Sequence, residues 1–135
     1  MKKKLLVTAI IASLFAPAFA YVANSADNKL IEKLDHADLK GKNFSGQDLS
    51  NVNFSGSDLT GANFSNANIS NANFSKAKLN GANFSNAVLE SVNFDHASLL
   101  KANFDGADLS GVNFHHAKTD GASFTNTKSE RVNWK

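Results

Sequence analysis

The residues best suited to chemistry are four polar side chains in two short runs that lie twenty residues apart. Asp95 and His96 form the first run, and His115 and His116 form the second. Imidazoles and carboxylates are ligands that transition metals accept, and two neighbouring histidines repel each other when both are charged. The four residues are therefore a candidate metal-binding or pH-sensitive corner, with an ordinary solvated turn as the simpler interpretation.

No other grouping in the sequence indicates catalysis. The chain of 135 residues has no Cys, which excludes a thiolate zinc site, a thiol nucleophile and a disulfide scaffold. Neither a nucleophile–base pair, nor a phosphate-binding loop, nor a buried acid–base pair is recognisable. We therefore predict a protein that is not an enzyme, with no catalytic residue, no cofactor and no metal ligand beyond the candidate corner.

The backbone must bring the two runs together, and the sequence carries a five-residue period from Ala37 onward. The third position of each five is apolar until the last few units, and phenylalanine alternates there with leucine or isoleucine. All eight Gly of the chain lie in the fifth position, where Gly and Asn suit a corner with positive φ. The phenylalanines are Phe44, Phe54, Phe64, Phe74, Phe84, Phe94, Phe104, Phe114 and Phe124.

A step of five fits neither a helix nor a flat strand. Along a helix, a step of five residues rotates the side-chain direction by about 140°, which would spread the apolar residues around the axis. Along a flat strand, the same odd step would place successive apolar residues on opposite faces. A short extended piece followed by a corner fits, and the first-position valines set the length of one coil. With four fives per coil, Val52, Val92, Val112 and Val132 fall in one column, and Ala62, Ala82, Ala102 and Ala122 fall in the neighbouring phenylalanine column. A ten-residue coil would mix the two sets, so we predict a coil of twenty residues. Such a coil places Asp95 beside His115 and His96 beside His116, with Lys76 one coil before His96.

The repeated units resemble the pentapeptide-repeat family, whose consensus is A-(D/N)-L-x-x. The resemblance rests on Ala37-Asp38-Leu39, on Ala107-Asp108-Leu109 and on many Ala-Asn-Phe units, and it covers residues 37–135. It implies an all-β fold, a right-handed quadrilateral parallel β-helix, which at twenty residues per coil has about five coils. We expect the second-position asparagines to stack as an amide ladder along the axis.

The first twenty residues have the pattern of a signal peptide. Lys2 to Lys4 are basic, residues 5–15 are mostly apolar, and Ala18-Phe19-Ala20 is a small-x-small cleavage site. We predict cleavage after Ala20 and a periplasmic or secreted protein with no stable membrane span; an uncleaved anchor is the alternative. Residues 21–36 are predicted to hold a short capping helix near 26–35, with Ser25 as its N-cap.

Removal of the signal peptide leaves eleven basic residues against twelve acidic ones, so the net charge of the mature chain is near −1. This charge does not indicate a protein that binds nucleic acid. The expected function is an exported, non-enzymatic β-helical scaffold for a protein partner of unknown identity. The resemblance offers a DNA-mimicking, topoisomerase-binding protein as one alternative, and the Asp95/His96/His115/His116 corner offers a metal-binding or pH-sensitive protein as another. Some members of the family associate end to end as dimers, and an aromatic Trp134 near one end makes an end-to-end homodimer possible here.

Overall fold

The computed structural model describes residues 34–135. The predicted signal peptide 1–20 and nearly all of the segment 21–36 lie outside these described residues. Sixteen parallel β-bridges hold the chain together, and each joins a residue to the one twenty positions later. This regular step confirms the predicted coil of twenty residues.

The bridges form four columns, one on each side of a quadrilateral parallel β-helix. They run from residue 38 to 118, from 43 to 123, from 48 to 128 and from 53 to 133. Each extended piece contributes a single bridged residue at the second position of its five, so the sides are rows of isolated bridges rather than long strands. The fourth and fifth positions form the turn between one side and the next.

The corners depend on left-handed backbone at the fifth position. From residue 36 to residue 131, the eight Gly and twelve other residues at this position all have φ between 55° and 72°. A side chain at such a φ costs about 1–2 kcal/mol unless the residue is Gly, or the short Asn that tolerates it. Gly and Asn together occupy thirteen of these twenty corners, which explains why the glycines keep to one position in five.

Two columns of phenylalanine rings fill the interior. Within a column, successive rings stack with centroids 4.9–5.3 Å apart, as for Phe64 and Phe84. Rings of the two columns meet edge to face at 5.6–6.1 Å. Both arrangements are favourable for aromatic pairs, and the aliphatic third positions from Leu39 to Leu109 complete a core that excludes water.

The backbone pairs with the coils on either side and within its own corners. Third-position amides donate to the next coil, as Phe64 N does to Asn83 O at 2.7 Å, and fifth-position amides do the same, as Asn66 N does to Ser85 O at 2.9 Å. First-position amides close each corner by donating to the third position of the preceding five. This pairing leaves the fourth-position amide in need of an acceptor.

The second-position Asn and Asp side chains supply that acceptor. Ser65 N, for example, donates to Asn63 Oδ1 at 3.0 Å. The prediction of a continuous amide ladder is therefore wrong for most of the column. Between asparagines of residues 34–135, ladder bonds join only Asn113 to Asn93 at 3.1 Å and Asn133 to Asn113 at 3.0 Å. The side-chain oxygens accept from the local amides, and Asn93 and Asn113 accept from the next asparagine of the column as well.

The predicted capping helix is not supported within the described residues. Leu34 and Asp35, its last two residues, lie in a turn. Separately, residues 34–135 contain no helix that could cross a membrane. Leu34 is buried, and His36 N donates to Ser55 O at 2.9 Å, as a fifth-position amide does. These residues fit the third, fourth and fifth positions of a repeat, so the β-helix begins at least three residues before Ala37.

The core weakens toward the C-terminal end. Thr119 and Ser129 replace leucine at inward positions, and Phe124 is only partly buried. Trp134 stacks on Phe114 with centroids 4.5 Å apart, and 52% of its surface is exposed.

Candidate functional site

The twenty-residue coil brings the four predicted residues of the corner together. Asp95 and His96 occupy the fourth and fifth positions of one coil, and His115 and His116 occupy the same positions of the next. The Nδ1 atoms of the three imidazoles all face one atom, Asp95 Oδ1. The distances to it are 2.9 Å from His96, 3.2 Å from His115 and 3.5 Å from His116. We call these four residues the histidine corner.

Backbone hydrogen bonds fix the histidine corner in place. Asp95 N donates to Asn93 Oδ1 at 3.0 Å, and His115 N donates to Asn113 Oδ1 at 3.1 Å. His96 N donates to His115 O at 3.0 Å, which ties the two coils together at this point. The corner is therefore held by the same bonds that build the β-helix, and only side-chain rotations remain free.

The imidazole rings are close together and open to solvent. The ring centroids of His115 and His116 are 3.6 Å apart, and those of His96 and His116 are 4.3 Å apart. The exposed fractions of the three side chains lie between 39% and 54%, and that of Asp95 is 33%. A solute in water can thus reach the nitrogens without any movement of the backbone.

The Asp95 carboxylate is the acceptor at the centre of the group. Its partial burial raises its pKa, but hydrogen bonds from His96 and His115 and the charge of His96 outweigh that effect and hold the pKa below its usual value. The carboxylate is therefore ionised at neutral pH. An ionised carboxylate flanked by three imidazoles can accept hydrogen bonds or coordinate a cation.

The sequence interpretation missed His36, which belongs to the same edge. His36, Gly56, Lys76, His96 and His116 form one fifth-position column, so all four histidines of the chain lie along one edge of the quadrilateral. His36 Nδ1 lies 3.2 Å from Asp35 Oδ2, which repeats the Asp95–His96 pair three coils away. The signal was the sequence Asp-His-Ala, which occurs at 35–37 and again at 95–97.

The histidine corner is distinct within the part of the chain that the structure describes. Among residues 34–135, it contains the one group of at least three His, Asp or Glu residues whose ligand atoms lie within 4.8 Å of one another, namely Asp95, His96 and His116. His115 adds a further nitrogen beside the same carboxylate oxygen.

A second notable surface is the side that carries the repeats 62–66 and 82–86. Its outward residues are uncharged amides and hydroxyls, and local hydrogen bonds hold the two bridged asparagines in one orientation. We call this surface the asparagine–serine face, and it consists of Asn63, Ser65, Asn66, Asn83, Ser85 and Asn86.

Where serine replaces asparagine or aspartate at the second position, the fourth-position backbone amide needs another acceptor. A side chain of the preceding coil supplies it. Asn80 Oδ1 accepts from Leu100 N at 3.1 Å and from Ser98 Oγ at 2.7 Å. Asp105 does the same for the next such unit, with Thr125 N at 2.9 Å and with Ser123 Oγ. Both acceptors come from the fourth position, eighteen residues before the serine.

Sequence comparisons agree with this architecture. The family description "Pentapeptide repeat region" matches residues 33–104, and "Pentapeptide repeats (8 copies)" matches residues 87–126. A search of curated proteins finds no match to the chain.

Two solved structures are similar over most of the chain. HetL, a pentapeptide repeat protein involved in heterocyst differentiation regulation in the cyanobacterium Nostoc sp. strain PCC 7120, is 28% identical with a TM-score of 0.65. That match covers 71% of this chain but only 45% of HetL, so the chain spans less than half of the HetL length. A pentapeptide repeat protein from the Arabidopsis thaliana thylakoid lumen is 32% identical with a TM-score of 0.61, covering 80% of this chain and 70% of its own. The chain therefore belongs to the pentapeptide-repeat family and adopts its right-handed quadrilateral β-helix.

Proposed function

We propose that the protein is an exported, non-enzymatic scaffold that binds a protein partner through its asparagine–serine face. The observation that carries the proposal is that the repeats 62–66 and 82–86 have no charged residue, while their asparagines are held in a fixed orientation. Asn63 and Asn83 are held by bonds of 3.0 Å to Ser65 N and Ser85 N, so their amide groups already point one way before a partner arrives. Binding then costs little ordering entropy.

The chemistry of the face favours a protein surface as its partner. Amides and hydroxyls cost less to remove from water than charged groups, and they pair with the backbone and polar side chains of another protein. The repeats 62–66 and 82–86 contain no Lys, Arg, Asp or Glu. A surface of this kind forms many modest hydrogen bonds rather than a few strong ion pairs.

Charge disfavours the alternative of DNA mimicry. Residues 34–135 carry ten Asp or Glu and nine Lys or Arg, so their formal charge is −1. Imitation of a phosphate array requires a sustained negative surface, because a duplex carries one negative charge per ~1.7 Å of its axis. The mixed charges along this rod give no such surface.

Export rests on the N-terminal pattern of residues 1–20, and the similar Arabidopsis protein is from the thylakoid lumen. N-terminal sequencing of the protein recovered from cells tests this part of the proposal. A chain that begins at Tyr21 and is found outside the cytoplasm is the expected result. A chain retained in the cytoplasm with residues 1–20 intact contradicts export.

Affinity capture with matched variants tests the binding face. The variant Ser65→Lys/Ser85→Lys places two charges on the asparagine–serine face, and Ser55→Lys/Ser75→Lys places two at the same repeat position on another side. Lys40 already occupies this fourth position, so both variants are expected to fold. We expect the first variant to retain at least tenfold less partner than the parent and the control. Equal retention by the two variants, or no partner for the parent, would refute the proposal.

A further inference from the structure

We propose that the histidine corner is a binding site for one divalent transition-metal ion of the Zn²⁺, Ni²⁺ or Cu²⁺ class. The site comprises Asp95, His96, His115 and His116, and it does not rest on the scaffold function proposed above. Imidazole nitrogen with one carboxylate oxygen is a donor set that suits these ions better than Ca²⁺ or Mg²⁺, which prefer oxygen ligands.

The distances to the carboxylate oxygen are close to those between the ligand atoms of a coordination shell, and the ligand atoms of Asp95, His96 and His116 lie within 4.8 Å of one another. Zn–N bonds of ~2.0–2.1 Å and Zn–O bonds of ~2.0–2.2 Å place the ligand atoms of a tetrahedral site roughly 3.4 Å from one another. The three Nδ1 atoms lie 2.9, 3.2 and 3.5 Å from Asp95 Oδ1. Rotations of exposed side chains are enough to admit an ion among these donors, and the backbone need not move.

The turn alone does not account for three histidines at one place. Thirteen of the twenty fifth-position corners carry Gly or Asn, the residues that best suit the positive φ. His96 and His116 instead occupy two successive corners at φ 58° and 55°, and His115 adds a third imidazole from the fourth position. All three histidines lie in turns, and what distinguishes them from other turn residues is that each places Nδ1 within 3.5 Å of Asp95 Oδ1.

A bound ion would also connect two coils. Asp95 and His96 belong to one coil and His115 and His116 to the next, so coordination would cross-link them beside the existing His96 N to His115 O bond. The junction lies just before the part of the helix where Thr119 and Ser129 weaken the core. Metal binding should therefore stabilise the end of the β-helix that its own packing holds least well.

The chain provides its own control in His36. This residue has the same corner position, with φ 58°, and the same preceding aspartate as His96. It lies three coils from His96, about 14 Å away at ~4.8 Å per coil, so it cannot join the same ion. A single His–Asp pair tests whether any binding comes from the corner geometry or from an exposed histidine alone.

Titration calorimetry of the untagged chain with Zn²⁺ alone and with Ni²⁺ alone tests the site, after a chelator has removed any bound metal. We expect one ion per chain. The variant His96→Asn/His116→Asn should bind at least 100-fold more weakly, whereas His36→Asn should bind like the parent. Asparagine is the chosen replacement because five corners already hold it at the same backbone conformation, so the variants should keep their fold, which far-UV circular dichroism checks.

The melting temperature provides a second measurement. With Zn²⁺ at 100 times its Kd, the midpoint should rise by on the order of 10 °C for the parent and for His36→Asn, and not for the double variant. The absence of both heat and a midpoint shift with either ion would overturn the proposal. Undiminished binding by the double variant would overturn it too, as would an equal loss of binding in His36→Asn.

Discussion

Removal of a ring from the middle of the aromatic core should cost far more than removal of one from its end. Phe84 is fully buried, stacks on Phe64 at 5.0 Å and on Phe104 at 4.9 Å, and meets Phe74 and Phe94 edge to face. Phe→Ala at a buried site costs ~3–5 kcal/mol, and four ring contacts place Phe84→Ala near the upper end of that range. The loss is a large share of a typical total stability of ~5–15 kcal/mol.

The matched control is Phe124→Ala in the last coil. Phe124 stacks on Phe104 at 5.0 Å, but it is only partly buried among residues 34–135. Its burial and ring contacts are smaller than those of Phe84, so a loss of about 2 kcal/mol is expected. In a solenoid each coil contacts only its neighbours, so the central substitution weakens two junctions and the terminal one weakens a single junction.

Urea unfolding, followed by two signals, measures the difference. Far-UV circular dichroism reports the whole β-helix, and Trp134, the one tryptophan, reports the terminal coil by fluorescence. Phe84→Ala should lower the circular dichroism midpoint by about twice as much as Phe124→Ala. The reasoning is refuted if the two variants lose equal stability, or if Phe84→Ala costs less than about 1 kcal/mol.

Three further outcomes follow from the polar contacts and from the exposed end. Asn80→Ala should cost about 1–2 kcal/mol because it leaves Leu100 N without its acceptor, and Ser98→Asn in the same chain should recover much of the loss, as thermal unfolding will show. Hydrogen bonds from Ser123 and Thr125 hold the pKa of Asp105 below 3.8. The stability that these bonds contribute is therefore present above about pH 4 and is lost as the pH falls through the lowered pKa. Asp105→Asn should make the melting temperature fall less steeply with pH in this acid range. If exposed Trp134 joins two chains end to end, Trp134→Ala should halve the mass measured by light scattering.

Each of these outcomes has a contradicting result. Failure of Ser98→Asn to recover any stability would show that the second-position amide does not replace the acceptor on Asn80. An acid limb that is unchanged in Asp105→Asn would mean that this carboxylate does not contribute to the pH dependence. An unchanged mass for Trp134→Ala would remove that ring from any assembly.

The repeat could be predicted from sequence because each position has one dominant physical role. Phenylalanine at every tenth residue and glycine in one position of five admit few backbones. A ten-residue coil is disfavoured because it would mix the first-position valines with the alanines at 62, 82 and 102 in one column. The same arithmetic correctly placed His96 beside His116. Regular spacing therefore predicted both the coil and the candidate site.

Other features depended on geometry that spacing alone does not contain. The amide ladder was wrong for most of the asparagines because equal spacing does not fix the orientation of the amide groups; only Asn113 and Asn133 direct their Nδ2 atoms to the preceding asparagine among residues 34–135. The contact of Asn80 with Ser98 depends on the reach of a fourth-position side chain across one coil. Leu34 satisfied both an amphipathic helix and a repeat, and burial in the β-helix decided between them. His36 was missed because the predicted repeats begin at Ala37, so His36 was not placed in the column of His96 and His116.

The fixed pairing of each residue with the one twenty positions later restricts how the length of this protein can change. Removal of twenty consecutive residues from the middle would shorten the rod by one layer and leave every surviving side chain above a partner of its own kind. Removal of ten would keep phenylalanine above phenylalanine but exchange opposite sides, and removal of five would set phenylalanine above leucine. Insertions and deletions that preserve both the interior and the surface are therefore confined to whole coils.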